Sequence, residues 1–495
     1  MPKTLELYAY LLVALAITPQ LTAQNPASTS APPRSTFREI NDSVVARFNR
    51  GDYKAIYQAG DDIYKGLNSE GELVGGLEWS KKIVGNIVSW ELIEDLGKVE
   101  HFKWTGEKGV MKFELWLEGP AIRRYKFNTF IRQPGWSVRS IPSDNRLRTA
   151  MDSVVDKYAT IYMSDPKAVG LSLGLYKGGK QYSYHYGEVE KGTGRVPDDR
   201  TIFSQGSISK TFIGVLLARA VAEGKLNLQD DIRKYLPGDF PNLEYKGHPI
   251  RLIDLANHTS GINKFRFNNV PANYETMSPV EALKYFDSYT NEDLLRDLHT
   301  LTVDTLPGVR YHYSLGGINL LGMALAKVYG TTQDQLVRDY YGKTFGMTDT
   351  KLISTPQDMT RYAKGYDDKG QLMPPMPEFT PSLYTVKSTT KDMLQYLKAN
   401  VEETNPVIRL SHQQTWGDLK SFAVGLTWDM EDYYGRGTEV WHSGFDYGSI
   451  TLLTAYHSLR FGMFLWANDD SRQGNLYDME RNIKENLEYL DSQKH

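Results

Sequence analysis

The 495 residues contain no cysteine. That absence excludes disulfides, thiolate zinc sites, a cysteine nucleophile and a lipidated N-terminal cysteine. An excess of one charge is missing too: 57 Lys and Arg face 60 Asp and Glu, for a formal net charge of −3. The basic residues are scattered, with no stripe that would follow a phosphate backbone, which argues against a nucleic-acid partner. No phosphate loop, dinucleotide fingerprint or metal-ligand spacing is present, so neither a cofactor nor a metal is expected. A long membrane-crossing start is also lacking. Lys3 and the apolar run Leu7 to Ile17 open the chain, but that run is about half the ~20 residues needed to span a bilayer. Pro19 then breaks any helix before the small residues Thr22 and Ala23. Residues 1–24 therefore read as a cleaved signal peptide rather than an anchor, and the mature protein as exported, periplasmic or extracellular.

What is present is ordinary for a folded soluble protein: 40% hydrophobic and 24% charged residues, in a chain long enough for two domains. Residues 25–35, rich in Pro, Ser and Ala, read as a flexible linker. From Phe37 the apolar residues Ile40, Val44, Val45 and Phe48 repeat at helical spacing, and Gly51 stops the helix. Two more helices are expected around Tyr53–Leu67 and Leu73–Gly85. Strands follow at Val99–Trp104, Val110–Leu117, Arg124–Arg132 and Trp136–Ser140. Helices followed by an antiparallel sheet make residues 36–141 a small α+β domain. The helix followed by Gly51-Asp-Tyr53 resembles the cone-shaped, nuclear-transport-factor-like domains. Trp79, Trp90, Trp104 and Trp116 are candidates to line a pocket there, and filling a small core is the favoured role. A second domain, residues 146–490, opens with a helix over Leu147–Met163. A hairpin of Val169–Tyr176 and Lys180–Gly187 follows, turning at Gly178-Gly179.

The chemistry begins with a Ser-x-x-Lys at Ser207 and Lys210. A serine hydroxyl is a poor nucleophile without a base in hydrogen-bond reach, and a three-residue spacing puts both side chains on one face of a helix. Two further matches exist, Ser164–Lys167 and Ser388–Lys391. Pro166 interrupts the first, and the second opens a predominantly polar helix, Thr390–Asn400. Only Ser207 has Phe-x-x-Gly-Ser in front and an apolar run, Thr211 to Ala222, behind it. Burial in such a helix favours a neutral Lys210 able to accept a proton.

The segment Pro197-Asp-Asp-x-Thr-x-Phe-x-x-Gly-Ser-x-Ser-Lys210 resembles the active-site entry of class C β-lactamases, low-molecular-weight penicillin-binding proteins and family VIII carboxylesterases. Gly-Lys-Leu-Asn-Leu-Gln-Asp at 224–230, Leu-Ala-Asn-His-Thr-Ser-Gly at 255–261 and Phe-Gly-Met-Thr-Asp-Thr at 345–350 follow in the family's order. The resemblance implies an α+β fold of the β-lactamase/transpeptidase type, an antiparallel sheet flanked by helices, with a mostly helical lobe from about 215 to 400. It also implies that Tyr313, after the Pro307-Gly308 turn, relays the proton, and that Val440-Trp-His442-Ser443-Gly444-Phe445 is the strand beside the serine. On this reading Ser207, Lys210, Tyr313 and His442 are catalytic, and His442 bonds the substrate or steadies the tyrosine. The Ser207 and Phe445 N–H groups form the oxyanion hole, Gly444 admits the substrate, and Ser443 and Leu315 border the binding site. A literal Tyr-x-Asn at Tyr289–Asn291 lacks the Pro-Gly lead and reads as a solvated loop or helix cap. His258, Thr259 and Ser260 are expected to be structural.

Leu315 departs from the family, where Asn usually contacts the substrate's acylamino group, and leucine cannot make those hydrogen bonds. The expected function is an exported serine hydrolase working through an acyl-enzyme on ester or amide bonds of a small molecule or peptide. It would be esterase- or transacylase-like, or a peptidase of D-amino-acid peptides. A β-lactamase or DD-carboxypeptidase proper and a non-catalytic ligand sensor are the alternatives. Substrate choice is expected to depend on the loops Asn263–Tyr289 and Pro374–Tyr384.

Overall fold

The computed structural model describes residues 33–133, 140–262, 277–375, 384–469 and 473–494. The expected signal peptide, most of the linker and, but for Ser140, the strand expected at Trp136–Ser140 lie outside them. So do residues 263–276 and 376–383 of the two substrate loops. The chain divides into two compact units, Met1–Trp136 with Asn482–His495, and Ser137–Arg481.

In the first unit the amphipathic helix runs over Arg34–Arg50 and ends at Gly51, whose φ is 77°. It starts inside the stretch read as linker. The helix expected over Tyr53–Leu67 is two helices, Tyr53–Gln58 and Asp62–Leu67. The break comes at Asp61, whose carboxylate accepts the Tyr64 N–H and starts the second helix as its cap. The next helix, Glu70–Val84, is capped by Ser69. Four antiparallel strands follow in sheet order: β1 (Ile87–Asp95), β2 (Val99–Gly106), β3 (Val110–Glu118) and β4 (Ala121–Asn128). Strand β1 is unexpected, because Val88 and Ile93 are exposed apolar residues at two β-bulges and break the period of two. Phe102, Trp104, Phe113 and Leu115 pack against Phe37, Phe48, Ile56 and Leu77 of the helices. Trp104 is core and donates to Asn41, Trp116 lies on the opposite face of the sheet, and Trp79 is exposed. Trp90, paired across the strands with Trp104, packs on the same core, so the four tryptophans do not line one common pocket. On that opposite face His101, Lys112, Glu114 and Arg124 are all buried. They meet Asn482 and Glu485 from the second half of the C-terminal helix Gln473–Ser492.

The second unit is built on strands β5 (Gly170–Lys177), β6 (Lys180–Gly187), β7 (Gln414–Asp418), β8 (Phe422–Gly425), β9 (Trp428–Asp432), β10 (Thr438–Asp446), β11 (Ser449–Tyr456) and β12 (Phe461–Ala467). They form one antiparallel sheet in the order β7-β8-β9-β10-β11-β12-β5-β6. Gly178 and Gly179 turn the β5–β6 hairpin with positive φ at both residues. The helix Ala150–Met163 begins at a capping box of Thr149 and Asp152. The helix Ser209–Ala222 is buried on almost every side, with Phe212 stacked on Tyr396 at 4.4 Å and against Tyr341 at 4.6 Å. Helices Leu252–Ala256, Pro279–Asp287, Asn291–Leu298, Leu315–Tyr329 and Gln333–Phe345 make up the helical lobe.

The helix after Ser388, Thr390–Glu402, is not the polar one expected. It buries Met393, Leu394, Tyr396, Leu397 and Val401 and packs on β5, β11 and β12. Its polar residues lie on the other side of an amphipathic helix. Among the described residues no helix is long and apolar enough to cross a membrane.

Candidate active site

Ser207 lies in a single 3-10 turn, Gly206–Ile208, that feeds directly into the helix Ser209–Ala222. Hydrogen bonds from several directions hold this turn. The Gln205 N–H donates to Val386 O at 2.8 Å, and Thr451 Oγ1 donates to Gln205 O at 2.9 Å. The Val386 N–H donates to Ser209 Oγ at 2.7 Å, and Thr427 Oγ1 donates to Lys210 O at 2.8 Å. Gly206 has a φ of +51°, and a Cβ there would meet Phe445 N at 2.7 Å. A Cβ on Gly444 would meet Gln205 O at 2.3 Å and Ser207 N at 3.1 Å. Both glycines let the turn and β10 touch backbone to backbone. Gly444 thus makes room for the serine turn itself.

Lys210 Nζ lies 2.9 Å from Ser207 Oγ, and Tyr313 OH lies 2.8 Å from the same oxygen. The lysine nitrogen sits 4.9 Å from the centre of the Tyr313 ring. Burial lowers the Lys210 pKa to about 7, against the opposing charges of Asp446 and Asp429. Near neutral pH a large share of this amine is therefore unprotonated, and it can accept a proton from the serine.

His442 is buried on β10, and its Nδ1 lies 2.6 Å from Ser443 O. A carbonyl only accepts, so Nδ1 carries the proton and Nε2 presents a lone pair. Burial, then the Lys210 charge, pushes this imidazole down to about 3, and it is neutral at working pH. Ser443 contributes that carbonyl only. Strand alternation turns its hydroxyl to the other face, where it bonds Tyr477. Leu315 is the half-buried first residue of its helix, two positions past Tyr313 and next to the N-cap Ser314.

The two other Ser-x-x-Lys matches are excluded by burial. Ser164 donates to Ile161 O at 2.6 Å, and Ser388, wholly buried, pairs with Thr350 Oγ1 at 2.8 Å. Tyr289 is buried and donates to Asp297, and Thr290 caps the following helix, so its segment is a helix cap and not a solvated loop. A row of Ser172, His185 and Asp199 is hydrogen-bonded in the order of a hydrolase triad, at 3.0 and 3.2 Å. Ser172 is fully buried, so no substrate reaches it.

One residue of the segment expected to be structural, holding the loop beside the cleft, touches the centre. His258 has a φ of +57°, and its ring lies 4.5 Å from that of Tyr313. Its Nδ1 accepts the Ser314 N–H at 3.1 Å, and its carbonyl accepts the His312 N–H at 2.6 Å. It thereby fixes the backbone on both sides of Tyr313. Burial, followed by the charges of Lys210, His442 and His312, keeps it well below the ordinary histidine range and neutral. The sequence shows the His-Thr-Ser-Gly segment but not the left-handed backbone that aims its histidine.

A serine that shares hydrogen bonds with a buried lysine and a tyrosine, at the start of a core helix beside an antiparallel sheet, defines the class of serine hydrolases that acylate their own serine. The β-lactamase family model matches residues 151–487, and the chain belongs to that family. It is 28% identical over 303 residues to a β-lactamase of Lysobacter lactamgenus, covering 59% of this chain and 72% of that protein. It is 24% identical over 332 residues to the D-alanyl-D-alanine-carboxypeptidase/endopeptidase AmpH of Escherichia coli (strain K12), covering 63% of this chain and 82% of that one. A solved class C β-lactamase shares the fold with a TM-score of 0.57 at 21% identity, across 67% of this chain and 97% of that structure.

Proposed function

We propose that the protein is an exported hydrolase that forms an acyl-enzyme on Ser207 and acts on esters, transferring the acyl group to water or to another nucleophile. The observation that carries this reading is the convergence of Lys210 Nζ and Tyr313 OH on Ser207 Oγ at 2.9 and 2.8 Å. Neutral Lys210 takes the Ser207 proton, and Ser207 Oγ attacks the carbonyl carbon. The oxyanion settles on the Ser207 and Phe445 N–H groups, which lie on the two closely packed backbones. Tyr313 delivers a proton to the departing alkoxide. The same groups, in reverse, activate the water or alcohol that releases the acyl group.

The preference for esters rests on Leu315 and His442. Leucine offers no amide to an acylamino group, and a neutral imidazole offers no charge to a substrate carboxylate. A D-amino-acid peptidase is the second reading, favoured by the similarity to AmpH. Parallel assays of p-nitrophenyl esters, a D-alanyl-D-alanine peptide and a chromogenic cephalosporin separate the readings. The ester reading requires ester turnover at least ~100-fold above the other two in kcat/KM, equivalent to about 2.7 kcal/mol in the transition state. Faster peptide cleavage overturns it in favour of the peptidase.

A further inference from the structure

The catalytic sequence above leaves one buried carboxylate beside the serine without a role. Asp446 is the last residue of β10, one position past Phe445, and is 6% exposed. Its Oδ2 accepts hydrogen bonds from the Ser204 hydroxyl and, at 3.1 Å, from the Gly206 N–H. Gly206 directly precedes Ser207, and 240 residues of chain separate it from Asp446. The bond therefore ties the residue after one oxyanion donor to the residue before the other.

Other hydrogen bonds hold the turn from neighbouring strands: Val386 and Thr451 both grip Gln205. Asp446 differs in belonging to the strand that carries Phe445, so it acts directly on the distance between the two N–H groups. Gly206 also needs such a restraint, because its left-handed backbone sits where a Cβ would strike Phe445 N. The carboxylate bonds the Ser204 hydroxyl, and the positive charges of Lys387 and Lys210 favour its ionised form. Lys387 is itself buried and donates to Leu352 O at 3.0 Å. This is a built polar centre in which both acceptor and donors are held.

We infer that Asp446 is a positioning residue of the oxyanion hole: by gripping Ser204 and Gly206 it sets the spacing of the Ser207 and Phe445 N–H groups. The inference rests on the acyl-enzyme reading of Ser207. It adds a determinant of rate that touches neither substrate nor nucleophile. Oxyanion-hole geometry is worth about 10²–10³ in rate per donor, and a displacement of about 1 Å costs on the order of 10².

The test is the second-order rate of Ser207 labelling by a fluorophosphonate, whose P=O oxygen occupies the oxyanion position. It is measured on the full chain for the wild type, Asp446→Ala, Asp446→Asn and Ser204→Ala, with rates divided by the folded fraction from circular dichroism. Asp446→Ala is expected to slow labelling by about 100-fold. Asp446→Asn, which keeps an acceptor for the Gly206 N–H, should lose about tenfold or less, and Ser204→Ala less again. In ester hydrolysis the loss should fall on kcat, with KM within about threefold of the wild type. Labelling of both Asp446 variants within twofold of the wild type, after correction for folding, overturns the inference. So does a loss carried by KM alone. A wild type that is not labelled at Ser207 overturns the acyl-enzyme reading itself, which is a different result.

Discussion

At the scale of the residue, Lys210 decides the pH at which Ser207 is reactive. Its folded-state pKa of about 7 lies below the ordinary lysine value because burial disfavours the cation. The amine works as a base only when neutral, so kcat/KM should rise with pH through about 7 and level off above it. Lys210→Arg keeps the charge and cannot release its proton, and should lower kcat/KM by at least about 10³ at every pH up to 9. A pH profile of ester hydrolysis checks both statements, and a flat profile between pH 6 and 8 contradicts the assignment. Much of this centre is legible in the sequence, since Ser207 and Lys210 announce themselves by spacing and by what flanks them, and Tyr313 follows from the family resemblance. Three features are not. The Ser443 hydroxyl faces away through strand alternation, His258 reaches Tyr313 through a left-handed backbone, and Asp446 meets Gly206 across most of the domain. Each depends on a backbone direction or a distant pairing that local pattern does not carry.

Among the elements, the nucleophile helix shows how closely the parts are fitted. A Cβ on Gly214 would lie 1.9 Å from Leu426 O and 2.4 Å from Thr427 Oγ1, and that threonine hydroxyl also bonds Lys210 O. In an exposed helix Gly→Ala stabilises by about 1 kcal/mol. Here the sign reverses: Gly214→Ala should destabilise by roughly 1–3 kcal/mol, because the helix must move off β9 and the turn before it. Urea denaturation measures the change, and a gain in stability refutes the packing described. The apolar run of this helix is readable because it is buried and long. Strand β1 and the break at Asp61 were not, since exposed apolar residues blurred one period and a single capping carboxylate divided the other helix.

For the whole molecule, the informative feature is that the first compact unit uses both ends of the chain. No local pattern reports that Asn482–His495 group by contact with the N-terminal sheet. Glu485, a charged residue of that segment, is buried against Arg124 and His101. Burial opposes its charge, and Arg124 and His101 hold it below the usual carboxylate range. Glu485→Ala leaves the buried Arg124 guanidinium without this partner and should cost about 3–5 kcal/mol. Glu118→Ala, which breaks the half-exposed pair with Lys98, should cost no more than about 1 kcal/mol. Equal shifts of the urea midpoint in the two variants contradict this contrast. The central claim, that Ser207 is the residue acylated, is tested most directly by fluorophosphonate labelling followed by mass analysis of the modified peptide. One adduct is expected, on the peptide holding Ser207, lost in Ser207→Ala and kept in Ser164→Ala and Ser388→Ala. An adduct on another residue of the wild type, or equal labelling of Ser207→Ala, contradicts it.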